Sequence, residues 1–185
     1  MPDGTQPAII LVEPQMGENI GAAARAMLNF GLTDLRLVNP RDGWPNERAV
    51  AMASRADIVL ENTRLFASTE DAIADLNHVY ATTARTRDVI KKIATPHAAA
   101  AELRDHQAKG SATGILFGKE SVGLSREDVA LADSIISVPL NPDFSSINLA
   151  QAVLLVGYEW FQAADKTPPV QVHNEERPAN KAELA

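Results

Sequence analysis

Short apolar runs alternate with helical patterns along most of the chain, and this alternation leaves few folds open. Most of the runs are continuous and rich in β-branched residues, as expected for strands of a parallel sheet that is covered on both faces. The predicted strands are Ala8–Val12, Leu35–Val38, Ile58–Leu60, His78–Thr82, Gly114–Phe117 and Ile135–Val138. Alternating strands and helices predict an α/β fold with a parallel sheet.

The segments between these runs carry helical patterns and helix-end signals. The predicted helices are Ile20–Phe30, Glu47–Ala53, Thr69–Leu76, Pro96–Gln107, Arg126–Leu131 and Asn148–Gln162. Asn19 is a candidate cap of the first helix, and Gly31 follows that helix where a terminating glycine belongs. Thr95 followed by Pro96 is a cap followed by a first-turn proline. Ser125, with an acidic residue three positions later, resembles a capping box.

The composition changes after Ala164. The last stretch holds three prolines, many charges and few large apolar residues, which is typical of a linker or a disordered tail. We therefore predict one domain over residues 1–164 and a tail over residues 165–185. Residues 181–185 resemble the first turn of a helix, and two origins fit equally well: a longer protein cut here, or a natural terminus that frays.

The overall composition is that of an ordinary globular protein. The 185 residues carry a net charge of −7, which argues mildly against a strong nucleic-acid footprint. Cysteine is absent from the sequence, so disulfides, thiolate metal sites and a cysteine nucleophile are excluded. The first apolar run ends at Glu13 and is too short for a signal peptide or a membrane span. We predict a cytoplasmic protein with neither a metal site nor a membrane anchor.

The first of three unusual loops, residues 13–21, leads from a strand into a helix through a glycine-containing turn. Gly21, Arg25 and Asn29 are spaced four apart and share one helical stripe. An arginine at this place can hold a phosphate with two hydrogen bonds, although an isolated arginine is more often a solvated surface residue. The spacing of the two glycines does not match a dinucleotide-binding fingerprint.

The second loop, residues 118–124, directly follows a predicted strand and is bracketed by Gly118 and Gly123. Open α/β sheets bind ligands beyond the carboxyl ends of their strands, so this loop could present backbone groups to an adenine or a ribose. It lacks the Gly-Lys-Ser/Thr ending of a phosphate-binding P-loop. An ordinary strand-to-helix turn is the alternative.

The third loop, residues 138–148, contains two prolines and leads into the last helix. Ser145, Ser146 and Asn148 cluster at the start of that helix, where backbone N–H groups lack partners. Simple capping explains one such residue but does not require three. The last helix is apolar nearly all round, so it lies either at the centre of the core or against another subunit.

The three loops, in this order and at these spacings, resemble the three motifs of the SPOUT methyltransferases, and most of all those of the TrmH/TrmJ group of tRNA and rRNA ribose 2′-O-methyltransferases. The resemblance covers about residues 8–161. The matching segments are Asn19-Ile20-Gly21-Ala22 with Arg25, Phe117–Leu124, and Pro139 with Ser145–Ala150, together with Val38-Asn39-Pro40 and Thr82–Arg85.

The resemblance implies a Rossmann-like SPOUT fold with a C-terminal trefoil knot, a homodimer, and S-adenosylmethionine as cofactor. It implies cofactor contacts at Thr82, Thr83, Ala84, Gly118, Val138, Ser145, Ser146 and Ile147. The position of Ile147 more often holds leucine in this group. Members of the TrmJ branch also carry a C-terminal helical extension, and this chain ends where the extension would begin.

The implied reaction is methyl transfer to a ribose 2′-hydroxyl of tRNA, at a cytidine or uridine in the first anticodon-loop position. Arg25 would be the catalytic residue, either as a base or by positioning a substrate phosphate, with Asn19 and Ser146 as orienting groups. The RNA would contact Arg25, Arg85, Arg87, Lys91 and Lys92, although a solvated run of charges explains the last four nearly as well.

Three other functions stay open from the sequence. The same domain could methylate rRNA in place of tRNA. It could also be a cofactor- or RNA-binding module that has lost catalysis. The presence of both Asn19 and Arg25 argues against this alternative. A nucleotide-binding α/β domain of other chemistry is disfavoured because both nucleotide fingerprints are missing.

Overall fold

The computed structural model describes residues 6–86, 90–171, 180 and 182. Seven strands and seven helices are assigned in this part of the chain. The strands are β1 Ala8–Val12, β2 Leu35–Val38, β3 Arg64–Phe66, β4 His78–Thr82, β5 Lys92–Ala94, β6 Thr113–Phe117 and β7 Ser134–Ile136. The helices are α1 Gly17–Asn29, α2 Glu47–Met52, α3 Asp57–Glu61, α4 Thr69–Ile73, α5 Pro96–Ala108, α6 Arg126–Leu131 and α7 Leu149–Gln162.

All seven strands form one parallel sheet in the order β3-β2-β1-β6-β4-β7-β5. At its centre Ile9 of β1 pairs with Leu35 of β2 on one side and with Ile115 of β6 on the other. The predicted α/β fold with a parallel, Rossmann-like sheet is therefore confirmed. The trefoil knot stays a prediction.

Helices cover both faces of the sheet, and each face has its own core. One core joins alternate strand residues such as Ile9 and Leu11 to side chains of α1, α2, α3, α5 and α7. The other joins Ile10 and Val12 to residues of α4 and of the segment around α6. Because both sides of β1 and β6 are buried, these strands are continuous apolar runs in the sequence.

Close packing of α1 on α2 explains one of the glycines in the first loop. A Cβ on Gly21 would lie 2.1 Å from the carbonyl oxygen of Ala49 in α2, so only glycine fits at this contact. The small residue therefore lets the backbone of α2 approach α1 closely.

One predicted strand is wrong. Ile58–Leu60 lies in the short helix α3, where Val59 is buried and Ile58 is 50% exposed. A run of three apolar residues does not distinguish a strand from one face of a helix. The strand of this region is β3, which begins at Arg64, and β5 was also not predicted. Both are edge strands with exposed side chains, so neither produces a continuous apolar run.

The helix ends follow the sequence signals with one exception. Thr95, Ser125 and Asn148 cap α5, α6 and α7 with their side chains, and Gly31 has the positive φ of +72° expected after α1. Asn19 does not cap α1: the helix begins two residues earlier, and the side chain of Asn19 points to other loops.

Beyond Ala163, the C-cap of α7, the described residues 165–171 are mostly exposed and belong to neither core. The division into a domain over 1–164 and a tail stays a prediction. Within the described residues, we find no helix that is both long and apolar enough to cross a membrane.

Candidate active site

A cavity of about 290 Å³ lies at the edge of the sheet where the strands end. It is formed by the segments that follow the neighbouring strands β4, β6 and β7, which are parallel and so deliver their carboxyl ends to the same edge. The lining comprises Thr82, Thr83, Ala84, Arg85, Phe117, Gly118, Ser121, Val122, Gly123, Ile136, Val138, Leu140, Ser145, Ser146, Ile147, Leu149 and Ala152.

All eight residues predicted to contact a cofactor lie on this one lining. They come from three separate stretches of the chain: Thr82, Thr83 and Ala84 after β4, Gly118 after β6, and Val138, Ser145, Ser146 and Ile147 after β7. The structure thus brings the predicted positions together, and it adds lining residues that the sequence did not single out, among them Ser121, Val122 and Leu140. Their contact with a cofactor stays a prediction.

The loop after β6 folds back on itself as a tight hairpin. Lys119 and Gly123 form an antiparallel bridge, in which the N–H of Gly123 donates to the carbonyl of Lys119 at 2.9 Å. A Cβ on Gly118 would lie 2.2 Å from both the carbonyl carbon of Gly123 and the nitrogen of Leu124. Glycine at 118 is therefore required by the backbone of the loop itself.

The segment after β4 is attached to both of its neighbours. The hydroxyl of Thr82 donates to the carbonyl of Leu116 in β6 at 2.8 Å. The N–H of Thr83 donates to the carbonyl of Ile136 in β7 at 3.2 Å. The hydroxyl of Thr83 accepts a bond from the N–H of Arg85 at 3.0 Å. The two threonines consequently hold this wall of the cavity in a defined position.

A chain of hydrogen bonds behind the cavity joins all three unusual loops. The amide nitrogen of Asn19 donates to Glu120 Oε1 at 2.8 Å, and the amide nitrogen of Asn148 donates to Asn19 Oδ1 at 3.0 Å. Asn148 Oδ1 in turn accepts bonds from the first N–H groups of α7. Asn19 is only 8% exposed, so its amide is satisfied by these protein partners.

The carboxylate of Glu120 also holds the start of α1. It accepts bonds from the backbone N–H groups of Gln15 at 2.8 Å and Met16 at 3.1 Å. Burial acts to raise the pKa of Glu120, but the bonds from Asn19 and from the two N–H groups outweigh it and leave that pKa below its ordinary value. The ionised carboxylate of Glu120 therefore holds the first loop against the second through these hydrogen bonds.

The three predicted catalytic residues lie in different surroundings. Ser146 lines the cavity, whereas Asn19 lies behind it in the hydrogen-bond chain. Arg25 is not part of the lining: it is exposed on α1, about 9 Å along the helix axis from Asn19. Its guanidinium Nη1 donates to the hydroxyl of Ser54 at 3.2 Å. Within one chain, the structure does not bring Arg25 to the cavity.

The predicted RNA-binding residues are also divided. Arg85 is exposed on the cavity lining. Lys91 donates to the carbonyls of Ala130 and Ala132 at the end of α6, and Lys92 forms an ion pair with Glu102. Arg87 lies outside the described residues. Contact of any of these residues with RNA stays a prediction.

Sequence reasoning missed Glu120 as a site residue. The sequence indicated Glu120 by its position between two glycines in the second loop. The residues to which it is hydrogen-bonded lie more than 100 positions away, so no local pattern relates them. The described residues contain no group of three or more histidine or acidic side chains able to hold a metal ion.

A sequence profile of the SpoU rRNA Methylase family matches residues 6–158. The chain belongs to the SpoU methylase family. The match covers β1 to α7 and includes all three unusual loops. The predicted membership in the SPOUT methyltransferases of the TrmH/TrmJ kind is thereby confirmed.

Relatives within the SpoU family are named as tRNA methyltransferases. The chain is 38% identical over 151 residues to the tRNA (cytidine/uridine-2′-O-)-methyltransferase TrmJ of Photorhabdus laumondii, which covers 82% of this chain and 62% of the relative. It is 35% identical over 162 residues to the tRNA (cytidine/uridine/adenosine-2′-O-)-methyltransferase TrmJ of Pseudomonas aeruginosa, covering 85% of this chain and 63% of that one.

A solved structure is also similar to this chain. The crystal structure of TrmJ from Z. mobilis ZM4 is 58% identical and superposes with a TM-score of 0.82 over 87% of this chain and 70% of that one. The chain spans 61% to 66% of the length of the first curated relatives it matches.

Proposed function

We propose that the chain is the catalytic domain of an S-adenosylmethionine-dependent ribose 2′-O-methyltransferase that acts on tRNA. The observation that carries the proposal is the convergence of three loops from distant parts of the sequence on one cavity at the carboxyl edge of the sheet. The names of the relatives at 35% and 38% identity support the reaction and the tRNA substrate. A tRNA substrate is available in the cytoplasm, and we propose that the protein acts there.

The residues of the cavity fit an adenosyl cofactor. Apolar side chains such as Phe117, Ile136 and Leu149 offer a surface for an adenine ring, and Gly118 and Gly123 contribute backbone to the lining. Hydroxyls of Ser145 and other lining residues are available to a ribose or an amino-acid portion. When bound, S-adenosylmethionine would supply an activated methyl group, so the protein has to align a ribose hydroxyl with it.

Arg25 lies outside the cavity of its own chain. A guanidinium that positions a substrate phosphate must reach the cavity, yet Arg25 lies on the outer surface of α1. We infer that Arg25 of a second copy completes each cavity, where it positions and neutralises a phosphate next to the reacting ribose. A free arginine stays protonated at neutral pH, so this role suits it better than that of a base.

An exposed apolar face on α7 supports the dimer. On α7, Leu154, Leu155, Tyr158 and Phe161 are 39% to 46% exposed. Phe30 at the end of α1 packs against the rings of Tyr158 and Phe161 at centroid distances of 5.9 and 6.0 Å. The predicted helix that is apolar all round is thus buried on one face and uncovered on the other, as expected for a helix that meets a second subunit.

Calorimetric titration and methyl transfer test the proposal separately. We expect S-adenosylmethionine to bind with one site per chain and NAD not to bind. Transfer of a labelled methyl group to a tRNA transcript should then protect one linkage from alkaline hydrolysis, because that cleavage requires a free 2′-hydroxyl. Cofactor binding with transfer to rRNA, or with no transfer, would contradict the tRNA assignment, and binding of NAD alone would overturn the whole proposal.

A further inference from the structure

The turn between α2 and α3 holds two consecutive residues in the left-handed region of the backbone. Ser54 has a φ of +47° and Arg55 a φ of +73°. L-residues other than glycine and asparagine rarely adopt this conformation, and each instance carries a cost in strain. Both residues are exposed, so burial of their side chains does not explain why they occupy this turn.

This turn lies directly against Arg25. The Ser54 hydroxyl accepts a bond from Arg25 Nη1 at 3.2 Å, across 29 positions of the chain. A hydroxyl orients the guanidinium without neutralising it, and most of its N–H donors remain available. The left-handed turn therefore places a second arginine, Arg55, immediately next to the residue that fixes the first.

The two arginines differ in their partners from four of the other arginines that the structure describes. Arg48, Arg41 and Arg64 are each paired with a carboxylate. Among the described residues, neither Arg25 nor Arg55 is within ion-pair distance of one. The Arg25 guanidinium held by a hydroxyl, with a second unneutralised arginine next to that hydroxyl in the sequence, offers the charged donors that bind a phosphate anion.

We propose that Arg25, Ser54 and Arg55 form a binding site for a phosphodiester of the RNA backbone. The proposal rests on the function proposed above, in that it takes the substrate to be RNA. Arg55 contributes a direct charge contact, and Ser54 is a positioning residue that holds the Arg25 guanidinium. Contacts of this kind fix the position of the RNA without reading its sequence.

The salt dependence of tRNA binding tests the charge contact. We would measure the affinity of the full chain for a fluorescently labelled tRNA transcript at several salt concentrations. A lost phosphate contact lowers the slope of log K against log salt by about 0.7 to 0.9. We expect this decrease for Arg55→Ala. The matched control is Lys109→Ala, which also removes one positive charge but lies at the end of α5, separated from α2 by α7 and α1.

Each outcome of the salt-dependence experiment either supports or refutes the phosphate site. An unchanged slope for Arg55→Ala, an equal decrease for Lys109→Ala, or a wild-type chain without salt-dependent tRNA binding would each overturn the phosphate site. Titration of the same proteins with S-adenosylmethionine keeps this result apart from the proposed function. Cofactor binding that survives in wild type and in Arg55→Ala leaves the methyltransferase proposal intact even if the phosphate site is refuted.

Substitutions at Ser54 test the positioning role. Ser54→Gly removes the hydroxyl and relieves the backbone strain, so a merely structural role predicts an equal or higher Tm and unchanged tRNA affinity. We expect a several-fold weaker affinity for tRNA together with the equal or higher Tm. Asparagine tolerates the left-handed region and carries an amide oxygen, so Ser54→Asn should restore the affinity. Wild-type affinity in Ser54→Gly would refute the role of Ser54.

Discussion

The side-chain amide of Asn19 donates a hydrogen bond to the carboxylate of Glu120 at 2.8 Å, across 101 positions of the chain. This bond joins the first turn of α1 to the hairpin after β6. On its other side the same amide accepts a bond from Asn148 at 3.0 Å. One buried side chain thereby fixes the relative positions of the three loops on which the cavity depends.

Removal of this amide should destabilise the protein. Asn19→Ala removes one of the three bonds to the ionised Glu120 and the partner of the Asn148 amide nitrogen, and a hydrogen bond to a charged group contributes about 1.5–3 kcal/mol. We therefore expect the free energy of unfolding, measured with urea, to fall by about that amount. Asn29→Ala on the exposed side of the same helix has the same effect on helix propensity, and it should change stability by no more than about 0.5 kcal/mol. Equal effects of the two substitutions would contradict the role of Asn19.

The pKa of Glu120 predicts how this connection depends on pH. Because the folded state lowers that pKa below its ordinary value of 4.5, the ionised carboxylate stabilises the protein fully above that value. The stabilisation is lost as the pH falls from about 4.5 through the lower pKa of the folded state. Glu120→Gln should therefore be less stable than wild type at neutral pH, and the difference should shrink in the acid range. Urea denaturation between pH 7 and pH 3 measures it, and a pH-independent difference would be contrary to this account.

Substitution of Gly118 should affect the cavity more than the rest of the fold. In Gly118→Ala the new Cβ would meet the backbone of Gly123 and Leu124 at 2.2 Å, so the hairpin that lines the cavity must shift. We expect at least a tenfold weaker affinity for S-adenosylmethionine, measured by calorimetry. Gly31→Ala is a suitable control: it strains the backbone at a φ of +72° but has no atom within 4 Å and lies at the far end of α1. Its cofactor affinity should equal that of wild type.

A mixture of two inactive variants can show whether Arg25 acts across the dimer. Arg25→Ala should abolish methyl transfer but keep cofactor binding, and Gly118→Ala should be defective in cofactor binding but keep its arginine. If a second copy supplies Arg25, mixed dimers contain one complete site, and random exchange of subunits should give about a quarter of wild-type activity. Arg25 acting within its own chain predicts that the mixture stays inactive.

The exposed face of α7 provides the control for this mixing. Leu155→Glu places a charge within the apolar face, so it should yield monomers in sedimentation analysis and prevent complementation. Val170 is an apolar residue outside the helix and is 77% exposed. Val170→Glu should change neither the oligomeric state in sedimentation analysis nor the complementation. A dimer that survives Leu155→Glu would mean that another surface forms the interface.

The sequence predicted the sheet and the cavity residues for the same physical reason. Strands buried on both faces must be apolar throughout, and in a parallel sheet the polar, glycine- and proline-rich segments that follow them meet at one edge. That reasoning brought Thr82, Gly118 and Ser146 to one site although 64 residues separate the first from the last. It did not find β3 and β5, whose edge positions leave Leu65 and Ile93 exposed and their apolar runs short.

Long-range polar contacts were beyond the sequence pattern. Asn19 was interpreted as a helix cap because a cap is a local feature, whereas its partners are brought to it only by the tertiary fold. Arg36 in β2 is a similar case: it is 2% exposed and satisfied by Asp34, Asp75 and the carbonyl of Ala72. Neither spacing nor composition indicates such partners, because they depend on which elements pack together.

The position of β7 in the sheet also determines the stage of synthesis at which the cavity can form. β5 pairs only with β7 among the described strands, and β7 is made last yet lies between β4 and β5. While a ribosome is still synthesising the chain, β5 has no neighbour to receive it until residue 136 has emerged. A nascent protein that already holds β1, β2 and β6 together therefore has no wall on one side of its cavity, and its capacity to bind a ligand arises abruptly once β7 and the loop after it have been made.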